Sequence, residues 1–370
     1  MSHDRDDERF MRRALDLAER ARGRTSPNPL VGAVLVHDGA VIAEAYHEAA
    51  GRPHAEVLAL QAAGTAARGA TLYVTLEPCA HHGRTPPCAP AVVAAGVRRV
   101  VAAVGDPDPR VAGRGFDILR AAGIDVTVGV LATEAARQNR VFFTAMREGR
   151  PHVTLKAAMT LDGKLADLRG TSRWITGEAA RREAHRLRRD ADAIVVGVST
   201  VLLDDPRLTV RLDEPVSREP YRVVLDSHGR TPTAARVLTA STPARTIVFT
   251  TEGAPPTRLA GLRAAGATVV TCPARNGRVD IGAVLQELHA REVRSVLVEG
   301  GAEVHGSFVD AGLVDRVALF VAPILIGGRA ATPVVGGGGL DLKSALRLGA
   351  VSVRAIGDDV LVEADVLRSE

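Results

Sequence analysis

Four side chains early in the 370-residue chain, His54, Glu56, Cys79 and Cys88, have types suited to metal-assisted hydrolysis. An imidazole and two thiolates can hold zinc with one coordination position open, and the metal lowers the pKa of a water there to about 7. A carboxylate within reach then takes the water's proton, protonates a ring nitrogen and helps expel an amine. Glu56 is the acid so placed. Residues two apart on an ideal helix point to nearly opposite sides, so His54 must occupy the irregular first turn for both to face one site. Pro53, tolerated where a helix begins, agrees with that placement. Alone, His-x-Glu is most often a pair of surface helix residues, and it is the two cysteines that reverse the odds. A structural zinc would want a fourth protein ligand, and Cys272, far along the chain, reads as a buried apolar side chain.

A second set of residues lies beyond position 150. Ser295 to Glu299 reads as a buried strand that runs into Gly300-Gly301 and a helix through Ala311. Two glycines let the backbone approach a pyrophosphate, and the helix N-terminus offers N–H donors and a favourable dipole. A close-packing turn explains the pair equally well. No G-x-G-x-x-G follows a strand, so the common dinucleotide fingerprint is missing. Lys156 sits on an otherwise apolar strand, where lysine is seldom buried without a partner, and Glu299 is a candidate for that partner.

The elements that must position these groups alternate. Phe10, Met11, Ala14, Leu17 and Ala18 fall on one helical face, and Pro27-Asn28-Pro29 ends that helix. Leu30–Val36 and Val41–Tyr46 flank an Asp38-Gly39 turn signal as two strands. A helix from Pro53 to about Ala67 follows, then a strand Thr71–Leu76, a helix Cys88–Gly96, a strand Val100–Val104, a helix Phe116–Ala122 and a strand Asp125–Val130. Such alternation predicts an α/β sandwich. The charged stretch Met146–His152, with Gly and Pro, predicts a boundary, giving domains 1–147 and 151–370. Strands at Val153–Ala158, Ala193–Val198, Arg222–Asp226, Thr246–Thr250, Thr268–Thr271 and Ser295–Val298 restart the pattern. Arg316–Ile326 and Val351–Asp365, broken at Gly357-Asp358, read as antiparallel strands closing one edge, so the second domain is α/β with a mixed sheet. Gly336–Gly339 reads as a flexible surface loop.

Composition narrows the function classes. Hydrophobic residues are 46% and charged residues 24%, an ordinary globular balance. The longest apolar run near the end, Val317–Ile326, is half the length of a membrane-spanning helix, and the start fits neither a secretory signal nor a transit peptide. A cytosolic location is expected. Lys plus Arg is 47 against 43 acids, a net charge of only +4, and aromatic residues are 3%, which disfavours a nucleic-acid partner.

With those residues in view the chain resembles a known family. His-x-Glu followed by Pro-Cys matches the ligand pattern of zinc nucleobase deaminases, in which the Glu is the proton shuttle. PNPLVG at 27–32, YHEAAGRPHAE at 46–56 and TLEPCAHHGRTPPC at 75–88 resemble the deaminase half of the bifunctional riboflavin-biosynthesis deaminase-reductases. The long loop between the cysteines separates it from other deaminases, and Ala80 stands where that family suggests serine. LKAAMTLDGK at 155–164, SRWITG at 172–177, VGVSTVLLDDPRLTVR at 196–211 and VEGGAEVHGSF at 298–308 resemble the reductase half. The resemblance implies a cytidine-deaminase-like α/β/α sandwich and a dihydrofolate-reductase-like domain. It implies zinc on His54, Cys79 and Cys88, with Glu56 catalytic. It places NADPH contacts on Ala158, Trp174, Thr200, Asp204, Ser227 and the run Gly301, Ala302, Glu303, Val304, His305, Gly306 and Ser307. Substrate contacts fall on Ser172, Arg188, Leu208, Arg211 and Glu299, with Lys156 near the reduced carbon. Asn28, whose carboxamide offers donor and acceptor, is a candidate reader of the pyrimidine edge. His47, His81, His82 and Arg84 divide evenly between site and packing, and Asp106 and Asp108 read as a turn first.

The implied activity is hydrolytic deamination of a 2,5-diamino-6-ribosylamino-pyrimidinone 5′-phosphate, followed by NADPH-dependent reduction of its ribosyl chain to ribityl. A phosphorylated pyrimidine is the expected partner, with no nucleic acid and no membrane, and a homo-oligomer is expected. Two rivals stand: a tRNA or DNA deaminase carrying a non-catalytic binding module, and a deaminase with a degenerate second domain.

Overall fold

Alternation of side chains across β1 (Gly32–His37), β2 (Ala40–Tyr46), β3 (Thr71–Val74), β4 (Arg99–Ala102) and β5 (Asp125–Val128) builds the first sheet. A computed structural model describes residues 5–82, 85–214, 216–240 and 245–368. Its contacts divide the chain into two units, Met1–Gly149 and Arg150–Glu370. In the first, the strand order is β2-β1-β3-β4-β5, with β1 antiparallel to both neighbours and β3, β4 and β5 parallel.

One face of this sheet, carrying Val34, Tyr73 and Val101, meets α1 (Arg5–Glu19) through Phe10, Met11, Ala14 and Leu17. The other face, carrying Ala33, Leu35, Leu72, Val74 and Val100, is covered by α2 (Ala55–Ala63), α3 (Cys88–Ala94) and α4 (Arg114–Ala121). This is the expected sandwich. The helix from Pro53 is shorter than its sequence suggests, because Gly64–Ala67 tightens into a 3₁₀ turn. Two helices have no counterpart in the sequence reading, α5 (Ala132–Gln138) and α6 (Arg140–Glu148). They bury only Ala135, Phe143 and Ala145, too few positions to show a helical period. Asn139 between them bonds both the N–H and the carbonyl of Leu30 at 2.8 Å.

The second unit begins with β6 (His152–Thr160), β7 (Lys164–Ala166), α7 (Glu178–Asp190), β8 (Ala193–Gly197), α8 (Val198–Asp204), β9 (Tyr221–Leu225), α9 (Arg236–Thr239) and β10 (Thr246–Thr250). Next come α10 (Pro256–Ala264), β11 (Thr268–Thr271), a hairpin β12 (Ala274–Arg275) and β13 (Arg278–Val279), α11 (Ile281–Ala290), β14 (Ser295–Gly300) and α12 (Ala302–Asp310). It ends with β15 (Arg316–Ala322), β16 (Thr332–Pro333), β17 (Arg347–Leu348), β18 (Ser352–Ile356) and β19 (Asp359–Leu367).

The main sheet runs β11-β10-β9-β8-β14-β6-β15-β19-β17, with β18 on β19. Seven strands, β11 through β15, are parallel. The antiparallel edge therefore starts one strand later than the sequence suggests: β15 is parallel to β6 and only its partner β19 reverses. Gly336–Gly339 is a surface loop, exposed at Gly337, Gly338 and Gly339. Gly336 donates its N–H to Ala302, and a Cβ on Gly306 would lie 2.4 Å from the Gly336 backbone. The start of the loop, Gly336-Gly337, packs on α12, which is why both sides of that contact are glycine.

Candidate active sites

In the first unit, β3 ends in a segment that carries Cys79 toward the start of α2, and α3 begins at Cys88. His54 is the N-cap of α2, extended at φ −75 and ψ 160, while Glu56 lies inside the first turn. That break in the helix lets residues two apart turn to one place. Nδ1 of His54 is 3.2 Å from Sγ of Cys88 and 3.6 Å from Sγ of Cys79. The three ligand atoms all lie within 4.8 Å of one another, the one such grouping of three metal-binding side chains found among the described residues. Tetrahedral zinc with usual Zn–N and Zn–S lengths puts nitrogen and sulfur about 3.6 Å apart, so the donor set fits zinc.

The two thiols are electrostatically unlike. Hydrogen bonds from Cys88 and His54 hold the Cys79 thiol at about 4, while the bond to Cys79 and burial push Cys88 up. Glu56 is buried, which raises its carboxyl to about 7, and its Oε2 has no hydrogen-bond partner. A carboxyl near neutrality can both take and give a proton.

His47 and Asn28 form the neighbouring wall. His47 is buried, with its ring 5.3 Å from that of His54. Nδ1 of His47 pairs with the Pro53 carbonyl at 3.1 Å and Nε2 with the Asn28 carboxamide nitrogen at 3.1 Å. The carbonyl accepts only from N–H, so Nδ1 carries the proton and Nε2 accepts from Asn28. Burial lowers the His47 pKa and keeps that arrangement neutral.

The segment 105–116 is tied to the zinc-side strand by Glu77. Its carboxylate accepts from the N–H groups of Asp106 (3.1 Å), Gly113 (3.0 Å), Gly115 (2.9 Å) and Phe116 (3.4 Å). Asp106 and Asp108 do form turns, accepting from the N–H groups of Asp108 and Arg110. Burial raises Asp106 to about 7, with the charge of Cys79 a lesser contribution. Glu77 was not singled out by sequence; its place beside Pro78-Cys79 was the available signal. His81 has a buried, unpartnered Nδ1, and Arg84 lies outside the described residues.

In the second unit, Ala158 on β6, Thr200 after β8, Ser227 after β9 and Gly301 after β14 lie at the carboxyl ends of adjacent parallel strands. That edge is where open α/β sheets take nucleotides. Gly301 has φ +81, and a Cβ there would lie 3.4 Å from Thr200 Oγ1. The glycine pair thus both packs on α8 and caps α12, leaving backbone rather than side chain at the helix start. Trp174 is 69% exposed, so it is not a core residue, and Arg181 lies 4.6 Å over its ring. Asp204 closes α8 and accepts from Ser172 Oγ at 3.4 Å and, through its carbonyl, from Arg173.

Other members of the expected set also make contacts within the protein. Leu208 has its side chain in the core, and Ser227 holds Val279 and Thr251 through its hydroxyl and carbonyl. His305 and Gly306 face inward, His305 pairing with the Val334 carbonyl at 2.8 Å, and Ser307 bonds Glu303. Ala302 is buried, Val304 half-buried, and Glu303 forms an ion pair with Arg278 at 2.8 Å.

Glu299 is grasped by Arg188 through two hydrogen bonds of 2.6 Å, and Arg188 also donates to the Thr209 carbonyl. Lys156 is therefore not the hydrogen-bonding partner of Glu299. It feels that carboxylate at longer range, with Nζ 5.6 Å from the Phe320 ring centroid. Burial lowers the Lys156 pKa, while for Glu299 the pull of Arg188 outweighs burial and holds it at about 2. His185, unmarked by sequence, accepts from the Arg211 N–H at 3.2 Å, and burial with Arg188 and Arg211 lowers it to about 4.

Comparisons with known proteins agree with both halves. Residues 151–362 match the model of the RibD C-terminal domain, and 4–104 that of the cytidine and deoxycytidylate deaminase zinc-binding region. The riboflavin biosynthesis protein RibD of Aquifex aeolicus is 43% identical over 357 residues, covering 96% of this chain and 97% of that one. That of Bacillus amyloliquefaciens is 45% identical over 359 residues, covering 97% and 96%. The chain belongs to the RibD family. Among solved structures, Acinetobacter baumannii RibD gives a TM-score of 0.88 at 38% identity, covering 98% of this chain and 99% of that one. A Thermotoga maritima structure described as a diaminohydroxyphosphoribosylaminopyrimidine deaminase/5-amino-6-(5-phosphoribosylamino)uracil reductase gives 0.85 at 39% identity, covering 98% and 99%. Like its RibD relatives, this chain is a bifunctional deaminase and reductase of riboflavin biosynthesis that uses zinc and NADPH. No helix among the described residues is long and apolar enough to cross a membrane.

Proposed function

We propose that residues 1–147 deaminate 2,5-diamino-6-ribosylamino-4(3H)-pyrimidinone 5′-phosphate and that 151–370 reduce the ribosyl chain of the product to ribityl. The observation that carries the first step is the convergence of His54, Cys79 and Cys88 beside the buried Glu56 carboxyl, whose Oε2 has no partner. Zinc on those three ligands supplies an activated water. Glu56 takes a proton as the C–O bond forms, passes it to the ring nitrogen, and supports loss of ammonia as the C–N bond breaks. Asn28, held by His47, offers its carboxamide to the pyrimidine edge.

For the second step, NADPH supplies hydride at the carboxyl edge of β6, β8, β9 and β14. Gly301 to Val304, Thr200, Asp204 and Trp174 hold the cofactor. Arg211, exposed and beside His185, suits the substrate phosphate, while Arg188 fixes Glu299 so that its carboxylate and Lys156 face the open sugar. The argument for catalysis over a nucleic-acid module is the pairing of α7 arginines with acids: Arg186 with Glu183, Arg188 with Glu299 and Arg189 with Asp190.

A cytosolic location accords with Cys79 and Cys88 as free thiols at ligand distance. A homo-oligomer accords with exposed Leu348, Val351, Val353 and Leu367 along the β17–β18–β19 edge, which light scattering would test. Mass spectrometry of the diaminopyrimidine phosphate incubated with enzyme tests the sequence of steps. Enzyme alone should exchange the amino group for oxygen, and adding NADPH should add a hydride and a proton. Reduction with no prior loss of ammonia would overturn the order.

A further inference from the structure

The eight residues between Cys79 and Cys88 are not needed to bring the two thiols together. The backbone at their ends does that: the Cys88 N–H donates to Cys79 Sγ at 3.3 Å and the Ala89 N–H to the Cys79 carbonyl at 3.1 Å. A two-residue spacer of the Pro-Cys-x-x-Cys kind would be used up by that turn. The longer spacer leaves residues free to fold back on the site, and one does so. Oγ1 of Thr85 lies 3.2 Å from Nε2 of His54.

The other ring nitrogen of His54 fixes what this contact means. Nδ1 is the atom turned toward both thiols. A nitrogen that binds a metal carries no proton, so a neutral ligating His54 must hold its proton on Nε2. Nε2–H then donates to the Thr85 hydroxyl. An acceptor behind a ligating imidazole fixes its tautomer and ring orientation and raises its basicity, and losing one typically costs 10- to 100-fold in metal affinity. Thr85 is half-buried, so water competes incompletely for that N–H.

Resting on the zinc reading above, we propose that Thr85 is a positioning residue for zinc: the inter-cysteine loop carries a hydroxyl acceptor that locks His54 into its metal-binding tautomer. It acts through His54, on the ring nitrogen turned away from the thiols.

The test is equilibrium zinc affinity of the full chain, measured by competition with a chromophoric chelator. Thr85→Val keeps the shape and removes the hydroxyl, and should bind zinc about 10- to 100-fold more weakly. Thr85→Ser should restore wild-type affinity. Thr85→Ala provides a second hydroxyl-free variant if valine disturbs folding, judged by circular dichroism. Wild-type affinity in a folded Thr85→Val or Thr85→Ala would overturn the proposal, as would an equal loss in Thr85→Ser, which would mark a packing role. Absence of zinc from the wild-type chain would overturn the zinc reading itself, a result distinct from either.

Discussion

At the first site a carboxyl is buried with an oxygen unpaired, and an imidazole and two thiols crowd within ligand distance, paired with one another. The second site differs in kind: Arg188 and Glu299 already close on each other, and Asp204 already accepts from Ser172. Burying an unsatisfied polar group costs on the order of 1–3 kcal/mol, so the first arrangement makes sense only with a ligand to complete it. Satisfied pairs need no such ligand to fold. Removing one residue from the zinc site should therefore abolish a function, whereas removing one from the reductase crevice should weaken binding by degrees.

Cys88→Ser is the strongest test of that contrast. It removes a thiolate from a three-residue ligand set, and should lose zinc and deamination together, read by metal analysis and ammonia release. Reduction of pre-deaminated substrate should survive. Full zinc occupancy in the variant would break the comparison at its first term. Glu56→Gln comes next in size. Zinc should stay, while deamination falls by at least the ~100-fold typical of a general acid–base group, because a carboxamide cannot shuttle protons. A parallel fall in reduction would mean that the two activities are not separate.

The difference between the sites also explains what was legible in the sequence. Zinc chemistry is carried by four side chains of restricted type, so His54, Glu56, Cys79 and Cys88 stood out before any fold was known. The breaking of α2 at His54 was legible too, since residues two apart on one regular helix point to nearly opposite sides. The cofactor crevice is built largely from backbone at strand ends, and backbone leaves few marks on residue type. Ser227, Leu208, His305 and Gly306 entered the expected set through family likeness, yet here they hold neighbouring segments together. Long-range partners were the least visible: nothing near Arg188 in sequence announces Glu299, and nothing near Glu77 announces Gly115. α5 and α6 escaped for a different reason, burying too little to leave a period.

Gly301→Val probes the backbone-built side of the contrast. Its φ of +81 is strained for a β-branched residue, and a Cβ would stand 3.4 Å from Thr200 Oγ1. NADPH affinity, followed by nicotinamide fluorescence, should weaken by about tenfold or more, or ~1.4 kcal/mol. Zinc content and deamination should not change. Unchanged NADPH affinity in a folded variant would reduce the Gly300-Gly301 turn to packing alone.

The smallest expected effect is an acid sensitivity of the second unit, arising from its self-paired charges. His185 is held near 4 in the folded chain by burial and by Arg188 and Arg211, with Glu299 opposing them and Lys156 adding to them. Its ordinary value is 6.5, so between 6.5 and 4 the unfolded chain binds a proton that the folded chain does not. Stability is complete above 6.5 and falls with pH through that window, by at most about 1.4 kcal/mol per pH unit for one proton. Protonation at Nδ1 would also remove the acceptor of the Arg211 N–H. Glu299 adds a second, lower window, since a carboxylate held at about 2 against an ordinary 4.5 stabilises above 4.5 and loses that contribution as pH falls toward 2. Urea unfolding followed at about pH 6.5, 5.5 and 4.5, roughly one unit apart across the upper window, should show the decline in the wild type. His185→Gln, which keeps a hydrogen-bonding side chain but cannot titrate, should make it shallower, leaving the smaller part due to the half-buried His289 and the buried His305 of that unit. An equal decline in that variant would place the acid-sensitive group elsewhere.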